Sequence, residues 1–314
     1  MKTVPVSLIC TVLDEEDTID DFLNSVFSMS LLPDELIVVD GGSTDKTVER
    51  IQLFQKSNTS IKLFIEQGCN IAKGRNIAIH HAQFDYIAIT DAGCRVDKQW
   101  LEQLIEPFLH DSTVDIVGGW VESDPHTPFE EWISLLQKPF EAIDFGKYHA
   151  TARSLAVRKD CWEAVGGFPE DLSMWAEDTV FFLRLKAKGF RIIITPHAIV
   201  RWRPRRNIRE FWLQYLNYGI GDGEAGIYPK LFLKRCGLFA SVILLAGGFI
   251  ISYIISVICF IVLGGAFMRL MMPLKRVSLA WWKLFPLFAL TLVMETAQVF
   301  GYCIGWTRRK KLFS

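Results

Sequence analysis

Acidic side chains follow three apolar runs near the start of the sequence. Asp14 and Glu15 come after VPVSLICTV, Asp40 ends LIVVD, and Asp91 follows YIAIT, with Asp97 just beyond. One such aspartate could simply cap its own turn. Several of them at the ends of successive parallel strands must meet at one sheet edge. That convergent charge needs compensation by a divalent cation, by ribose hydroxyls or by the imide N–H of a base, which together describe a metal-bound nucleotide.

A second pair of carboxylates, Glu177 and Asp178, stands in MWAEDTVFF. The apolar residues that follow have helical spacing, so both acids are predicted in the first turn of a helix, where its dipole favours the ionised form. Adjacent helical residues diverge by about 100°, so only one of the two can point into a given cleft. In an arbitrary protein they would be ordinary N-terminal helix charges.

Five arginines occur within RWRPRRNIR, residues 201–209. A guanidinium fork suits phosphate oxygens, so this density indicates a phosphorylated ligand or anionic lipid headgroups. A solvated basic face is the alternative interpretation.

The elements that must position these groups alternate between strand and helix. Strands are predicted at 4–12, 35–39, 61–65, 86–90 and 114–121, and helices at 17–28, 45–56, 70–82 and 97–109. This alternation predicts an α/β fold with a mainly parallel sheet. The dinucleotide fingerprint G-x-G-x-x-G is absent after the first strand, where TVLDEED stands, so a dehydrogenase loses its main support.

The end of the chain is apolar. Residues 237–268 carry no charge, and residues 284–306 carry only Glu295, which together with Gln298 should face protein or a polar cavity. Because about 20 apolar helical residues cross a bilayer core, both segments are predicted to be membrane-embedded. The predicted organisation is a globular domain at 1–225, a juxtamembrane linker at 226–236 and membrane-embedded helices at 237–314.

Charge follows the same division. Residues 1–236 hold 26 basic and 34 acidic residues, a net charge of −8, whereas residues 237–314 hold 8 basic and 1 acidic, a net charge of +7. No signal peptide precedes the first predicted strand, so we expect a multi-pass protein of the cell membrane with its globular domain in the cytoplasm. The seven cysteines include no C-x-x-C pair, which argues against a disulfide framework and a structural zinc site.

Four motifs together carry a family resemblance. They are SLICTVLDEEDTIDDFLNSV, LIVVDGGSTDKTVE, GRNIAIHHAQFDYIAITDAGC and GGFPEDLSMWAEDTVFFLRLKAKGFRI. Over roughly residues 4–225 the chain resembles a family 2 glycosyltransferase of the GT-A fold. The resemblance implies a Rossmann-like catalytic domain, here with a C-terminal transmembrane region, and a nucleoside-diphosphate sugar across the carboxyl ends of the first strands.

The resemblance also implies roles for single residues in donor binding. Thr11 and Glu15 match positions that hold the nucleoside, and Asp40 matches the aspartate that reads the base, usually uracil. Arg75 belongs to a segment near the base and the sugar. Asp91 matches the first aspartate of the family's D-x-D motif, which contacts ribose or, through a metal ion, the diphosphate.

Asp178 matches the family's general base, which would take the proton of an acceptor hydroxyl as it attacks the anomeric carbon with inversion. Arg153 or Ser154 would lie near the acceptor side. Weaker candidates for contact with the diphosphate or the acceptor are Glu177, Trp202, Arg203, Arg205 and Arg206.

The sequence departs from the family's pattern at Gly93, which stands where the D-x-D motif has its second aspartate. Mg²⁺ or Mn²⁺ is still the expected cofactor, held by Asp91 alone or together with Asp97. The alternative is that cationic side chains replace part of the metal's role, with the arginines of 203–206 as candidates.

The predicted function is an inverting glycosyltransferase that moves a sugar from a nucleoside-diphosphate sugar, with UDP as the expected nucleotide, to a hydroxyl of a lipid-linked or membrane-proximal glycan. Membrane and glycan are thus the predicted partners, and nucleic acid is not. The missing aspartate leaves open a catalytically silent nucleotide-sugar-binding or scaffold protein of an envelope-polysaccharide complex. A nucleotidyltransferase is disfavoured by TVLDEED, and a processive synthase by the lack of Q-x-x-R-W. The stretch QYLNYGIGDGEAG is interpreted as a hinge or gating loop, or else an interfacial linker.

Overall fold

The computed structural model describes residues 4–137, 140, 143, 149–173, 175–237 and 284–309. Its strands are β1 (Val6–Val12), β2 (Glu35–Asp40), β3 (Ile61–Ile65), β4 (Tyr86–Ile89), β5 (Cys94–Val96), β6 (Ile116–Ser123), β7 (Leu155–Arg158) and β8 (Ile192–Trp202). Its helices are α1 (Ile19–Phe27), α2 (Thr47–Gln55), α3 (Ile71–His81), α4 (Trp100–His110), α5 (Pro128–Ser134), α6 (Lys159–Ala164), α7 (Glu177–Ala187), α8 (Ile208–Ala225) and α9 (Leu284–Trp306). The predicted membrane segment beyond Gly237 lies outside the described residues.

One mixed sheet organises the globular domain, in the strand order β3-β2-β1-β4-β7-β6-β8-β5. The first four strands are parallel to one another, whereas β7 runs antiparallel to both β4 and β6. β6 and β8 are parallel, and the short β5 closes the edge antiparallel to β8. The predicted α/β class is confirmed, and the predicted strands of the first half each overlap an observed one.

The sheet is buried on both faces, which explains why its strands are continuous apolar runs. Along β1, Leu8 and Cys10 pack into one core cluster, while Ile9 packs into the cluster on the opposite face. Successive strand residues point to opposite faces, so an unbroken apolar run serves two layers of helices at once. Because β1, β2 and β4 are parallel neighbours, their carboxyl ends lie at one edge of the sheet.

α9 is, among the helices within the described ranges, the one long and apolar enough to cross a bilayer, with a mean hydropathy of 1.5. It packs along α8 through glycines, since a Cβ added at Gly301 or Gly305 would overlap the carbonyl oxygen of Leu216 or Ile220. Such close backbone approach is typical of tightly packed helix pairs. α9 is therefore attached to the globular domain along a helix face.

The interpretation of residues 214–226 as a loop is wrong, because α8 continues to Ala225 and ends at Gly226, whose φ of +64° caps the helix. The following segment, 229–237, is again helical. From it, Arg235 forms an ion pair with Glu295 of α9 at 2.5 Å. Glu295 thus faces protein, as predicted. The division at residues 225 and 236 into domain, linker and membrane region stays a prediction.

Candidate active site

A cleft of about 590 Å³ opens at the carboxyl ends of the first strands. This volume lies in the range of ordinary ligand pockets. Of the candidate site residues named from the sequence, nine line it: Thr11, Glu15, Asp91, Arg153, Glu177, Trp202, Arg203, Arg205 and Arg206. Among the others, Asp40, Arg75, Asp97 and Asp178 do not line it, and each has a definable environment instead. The structure thus brings together acids from β1, β4 and α7 with the arginines that follow β8.

Arg75 lies beneath the cleft and joins two of its walls. The residue is 2% exposed, and its guanidinium donates to Glu177 Oε1 at 2.6 Å and to Asp91 Oδ1 at 2.8 Å. Its helix α3 can approach β1 because Gly74 lacks a side chain, since a Cβ there would lie 2.8 Å from Thr11 Cγ2. Arg75 therefore holds the two carboxylates in place rather than projecting into the cleft.

A second arginine, Arg153, lies next to Asp91 and lines the cleft itself. Arg153 Nε lies 3.6 Å from Asp91 Oδ2, and the Arg153 guanidinium lies 4.8 Å from the centre of the Trp202 ring. Tyr218 of α8 accepts a long hydrogen bond of 3.5 Å from Arg153 Nη2. A partly buried guanidinium between a carboxylate and an aromatic face interacts favourably with both, although its polar contacts here are long. Ser154, in contrast, is buried in the core.

Glu15 reaches the cleft from the loop after β1. Its backbone N–H donates to the Thr47 hydroxyl at 2.8 Å, and its carboxylate accepts from the Thr18 hydroxyl. Burial raises the pKa of Glu15, and the charge of Asp91 adds to the increase. A Cβ at Gly93 would lie 3.7 Å from Glu15 Oε1 and 3.9 Å from Oε2. The Glu15 carboxylate therefore faces the position at which the family's second aspartate is missing.

Asp40 does not present a free carboxylate to the cleft, contrary to the expectation that it reads the base. It is fully buried, and its Oδ2 accepts the N–H groups of Gly42 at 2.9 Å and Ser43 at 3.0 Å. Its Oδ1 accepts the Ser43 hydroxyl at 2.5 Å. Asp40 thus caps its own turn, the alternative that the sequence left open, and the neighbouring Gly41 lines the cleft in its place.

Asp97 and Arg203 are both occupied by structural ion pairs. Asp97 follows β5 at its far end, outside the lining of the cleft, and binds both terminal donors of Arg201. Asp97 is therefore not positioned to bind a metal ion together with Asp91. Arg203 lines the cleft, but it binds the fully buried carboxylate of Glu130 at 2.9 Å.

The turn before α7 sets the direction of its two acids. Trp175 and Ala176 have positive φ angles of 51° and 84°, which non-glycine residues rarely adopt. Backbone strain of this kind costs about 1–3 kcal/mol and persists only where the surroundings enforce it. Glu177 consequently faces the cleft and Arg75, whereas the carboxylate of Asp178 accepts its neighbour Thr179 N–H at 2.7 Å.

Asp178 lies on the flank of α7, away from the lining of the cleft. Burial raises the pKa of Tyr228 and of Asp222, and the negative charge of Asp178 adds to both increases. Tyr228 shares a hydrogen bond of 2.7 Å with His149 Nδ1. Across the part of the chain that the structure describes, Asp178 has no basic ion-pair partner.

Sequence profiles place this chain in a family. The profile described as "Glycosyl transferase family 2" matches residues 7–162, and that of "Glycosyl transferase family group 2" matches residues 86–294. The chain belongs to glycosyltransferase family 2. The glycosyltransferase is 28% identical over 258 residues to glycosyltransferase AglE of Haloferax volcanii, a match covering 79% of this chain and 83% of that protein.

Two further comparisons frame this glycosyltransferase. It is 24% identical to poly-beta-1,6-N-acetyl-D-glucosamine synthase of Staphylococcus aureus over 74% of its own length, but this spans only 59% of the synthase. Its fold is similar to that of the mannosyltransferase PcManGT from Pyrobaculum calidifontis, solved with GDP-Man and Mn²⁺, with a TM-score of 0.65, 20% identity, and coverage of 93% of this chain and 87% of that one. The likeness confirms the GT-A fold.

The donor set of this glycosyltransferase does not fit the expected divalent cation. Within the described ranges no three His, Cys, Asp or Glu side chains come together as ligands. Asp91 already faces Arg75 and Arg153, and Gly93 supplies no second carboxylate. Two guanidinium groups on the one aspartate compete directly with a cation for its oxygens.

Proposed function

We propose that this glycosyltransferase moves a sugar from a nucleoside-diphosphate sugar to a hydroxyl of a glycan or lipid-linked acceptor at a membrane surface. The observation that carries the proposal is the joint lining of one cleft by Thr11 and Glu15 after β1, Asp91 after β4, and Glu177 of α7. A nucleotide across these strand ends would find acceptors for its hydroxyls on one side and arginines for its phosphates on the other.

The base of the donor is left open by this arrangement. UDP was the expected nucleotide because of Asp40, but that carboxylate is used in its own turn. Polar groups that line the cleft after the first two strands include the side chains of Thr11 and Glu15 and the backbone at Gly41. We therefore propose a nucleoside-diphosphate sugar and leave the choice among bases to a binding screen.

Asp178 is proposed as the general base. An acceptor hydroxyl is too weakly acidic to attack alone, and a positioned carboxylate that takes its proton contributes about a hundredfold to ten-thousandfold. Because adjacent residues of α7 diverge, Glu177 holds Arg75 under the donor while Asp178 faces the flank with Tyr228 and His149. We assign that flank to the acceptor.

The proposed transfer is a single displacement with inversion. The acceptor oxygen forms a bond to the anomeric carbon, its proton passes to Asp178, and the bond from the anomeric carbon to the diphosphate oxygen breaks. The nucleoside diphosphate leaves with one more negative charge than it carried in the sugar ester. Charge grows on the sugar ring in an oxocarbenium-like state, which anionic groups nearby would stabilise.

A membrane-proximal acceptor is supported by α9. Its glycine face covers α8, and its other face leaves Phe300 59% and Ile304 40% exposed. An exposed apolar face on a helix of this length suits contact with lipid. The cytoplasmic location of the cleft and a multi-pass topology belong to the same proposal, as does a role in envelope polysaccharide synthesis.

The proposal is tested with the full chain in detergent or nanodiscs. Thermal stabilisation by a panel of nucleotide sugars identifies the donor, and release of the nucleoside diphosphate then measures turnover with and without acceptor. We expect Asp178→Asn to reduce turnover at least a hundredfold while leaving the affinity for the donor within about threefold.

Two results would contradict the proposal in different ways. Unchanged turnover in Asp178→Asn would remove the base assignment. Failure of every nucleotide sugar to bind the folded protein would remove the donor. Donor binding without turnover in the wild type, with any acceptor from a membrane extract, would favour the nucleotide-sugar-binding scaffold.

A further inference from the structure

The charge around Asp91 is compensated by the protein itself. Arg75 donates to one carboxylate oxygen at 2.8 Å, and Arg153 lies 3.6 Å from the other. Arg75 is committed, because it also holds Glu177. Arg153 is only loosely attached, since its distances to Asp91 and to the Tyr218 hydroxyl at 3.5 Å are both long. It can therefore turn its donors to a ligand in the cleft without breaking a strong bond.

Arg205 is another cation of the cleft for which the described residues supply no ion pair. Its Nε is buried and makes no hydrogen bond, and no carboxylate pairs with it across the residues that the structure describes. An unsatisfied buried N–H of a charged group is costly unless something binds it. Its guanidinium lies 5.6 Å from the centre of the Trp202 ring, the ring that Arg153 also contacts. Trp202 thus positions two guanidinium groups in the same cleft.

The acidic side of the cleft offers little to a cation. Gly93 carries no carboxylate, and the nearest one, that of Glu15, accepts the Thr18 hydroxyl and has its pKa raised by burial. Arg205 lines the same cleft, and its positive charge opposes that rise. A cation between Glu15 and Asp91 would therefore be repelled by arginines on both sides.

We propose that Arg153 and Arg205 neutralise the donor's diphosphate, so that donor binding and departure of the nucleoside diphosphate need no divalent cation. This inference rests on the proposed function and goes beyond it. Two guanidinium forks supply fixed N–H donors to phosphate oxygens, and they remain charged at every working pH. They meet the extra negative charge that appears on the diphosphate when its bond to the sugar breaks.

The test is titration calorimetry of the full chain with whichever of UDP, GDP or other nucleoside diphosphates stabilises it. Affinity is compared in 1 mM EDTA and in Mn²⁺ for the wild type, Arg153→Met, Arg205→Met and the control Arg209→Met, an exposed arginine of the same basic stretch. We expect EDTA and Mn²⁺ to give affinities within about threefold in the wild type. Loss of one charge-assisted contact predicts about tenfold or more weaker binding in Arg153→Met and Arg205→Met, and no change in Arg209→Met.

The corresponding nucleoside separates phosphate contacts from effects on the fold. Its affinity should be the same in the wild type and in Arg205→Met, because the nucleoside carries no phosphate. Gly93→Asp adds the missing carboxylate without a steric clash, since the added Cβ stands in ordinary contact with Glu15. We expect this variant to bind the nucleoside diphosphate more tightly with Mn²⁺ than with EDTA, unlike the wild type.

The inference is overturned if the wild type binds the nucleoside diphosphate more than tenfold better with Mn²⁺ than with EDTA. It is equally overturned if both arginine variants bind it as the wild type does. Either result leaves the proposed function standing. If no nucleoside diphosphate or nucleotide sugar binds under either condition, the proposed function itself fails and this inference falls with it.

Discussion

The Arg75 guanidinium donates to the Glu177 carboxylate at 2.6 Å and so ties helix α3 to the first turn of α7. Glu177 is 7% exposed, so both charges lie out of water. A buried pair of this kind is weak evidence for net stability, but breaking it leaves an uncompensated buried charge. Its position directly behind the cleft means that the turn carrying Glu177 and Asp178 depends on this contact.

Arg75→Met should therefore destabilise the protein by about 3–5 kcal/mol, because Glu177 and Asp91 would both lose their buried partner. Thermal unfolding in detergent, with bound donor absent, measures this effect. The double variant Arg75→Met with Glu177→Gln should recover part of the loss. Lys73→Met, on the same helix as Arg75, removes an exposed ion pair to Glu66 in the preceding loop and should leave the melting temperature unchanged. An equal decrease in melting temperature in Arg75→Met and Lys73→Met would contradict this account.

Asp222 of α8 should make the free energy of unfolding depend on pH. Burial raises its pKa from 3.8 to about 7, the positive charge of Arg235 opposes the rise and the negative charge of Asp178 adds to it. The folded state then binds a proton that the unfolded state releases, so stability falls as pH rises from about 4 to 7. Asp222→Asn should melt at the same temperature as the wild type near pH 4. It should melt several degrees higher at pH 8, where burial of the charge costs at most about 4 kcal/mol.

That comparison requires melting curves of both proteins across the pH range. Parallel curves for the wild type and Asp222→Asn would show that the carboxyl is not titrating in this window. A crossing in the opposite direction would show that the carboxylate has a stabilising partner in the folded protein.

Gly301 of α9 should tolerate no side chain. An added Cβ would overlap the carbonyl oxygen of Leu216, and backbone cannot move aside as the end of a side chain can. We expect Gly301→Ala to lower the melting temperature and to speed proteolysis between α8 and α9, although alanine is the better helix former. Gly237→Ala is the matched control, because nothing lies within 4 Å of a Cβ added there. Equal melting temperatures and proteolysis rates in Gly301→Ala and Gly237→Ala would contradict the close packing of α9 against α8.

The Arg235–Glu295 ion pair should behave as one unit. The two side chains are 18% and 12% exposed, so either charge alone would be left poorly solvated. Arg235→Leu and Glu295→Leu should each lower the melting temperature. The double variant should lose less than the sum of these two losses, because neither charge is then left without its partner. A thermodynamic cycle on these three variants measures the coupling. Strict additivity would mean that the pair contributes nothing.

Much of the fold could be predicted because local pattern and tertiary role agree there. The unbroken apolar runs of β1 and β2 are buried on both faces, and the glycines after Asp40 make the turn that the run predicts. The prediction went wrong at 214–226, where glycines of low helix propensity indicated a loop. In the structure Gly219 and Gly223 face α9, so a contact with a distant segment stabilises a helix that local propensity disfavours.

The sequence could predict which residues lie near the cleft, but not which way their side chains point. Nine of the residues named from the sequence line the cleft, because positions at strand ends converge in any parallel sheet. Whether a carboxylate at such a position faces a ligand depends on its local hydrogen bonds. Asp40 accepts hydrogen bonds within its own turn, and Asp178 accepts one from Thr179 on the flank of α7. Arg153 was named from the sequence only for the acceptor side, because its contacts with Asp91 and Trp202 join segments that are distant in the chain.

The glycine-to-backbone contact of α8 with α9 has a practical consequence for anyone handling this protein. Removing the last helix to obtain a more soluble sample would uncover a groove along α8, whose opposite edge carries Tyr218 against Arg153. Such a shortened protein should aggregate through the uncovered groove. A loss of activity in it would then reflect distortion of the cleft beside Tyr218 rather than loss of membrane attachment.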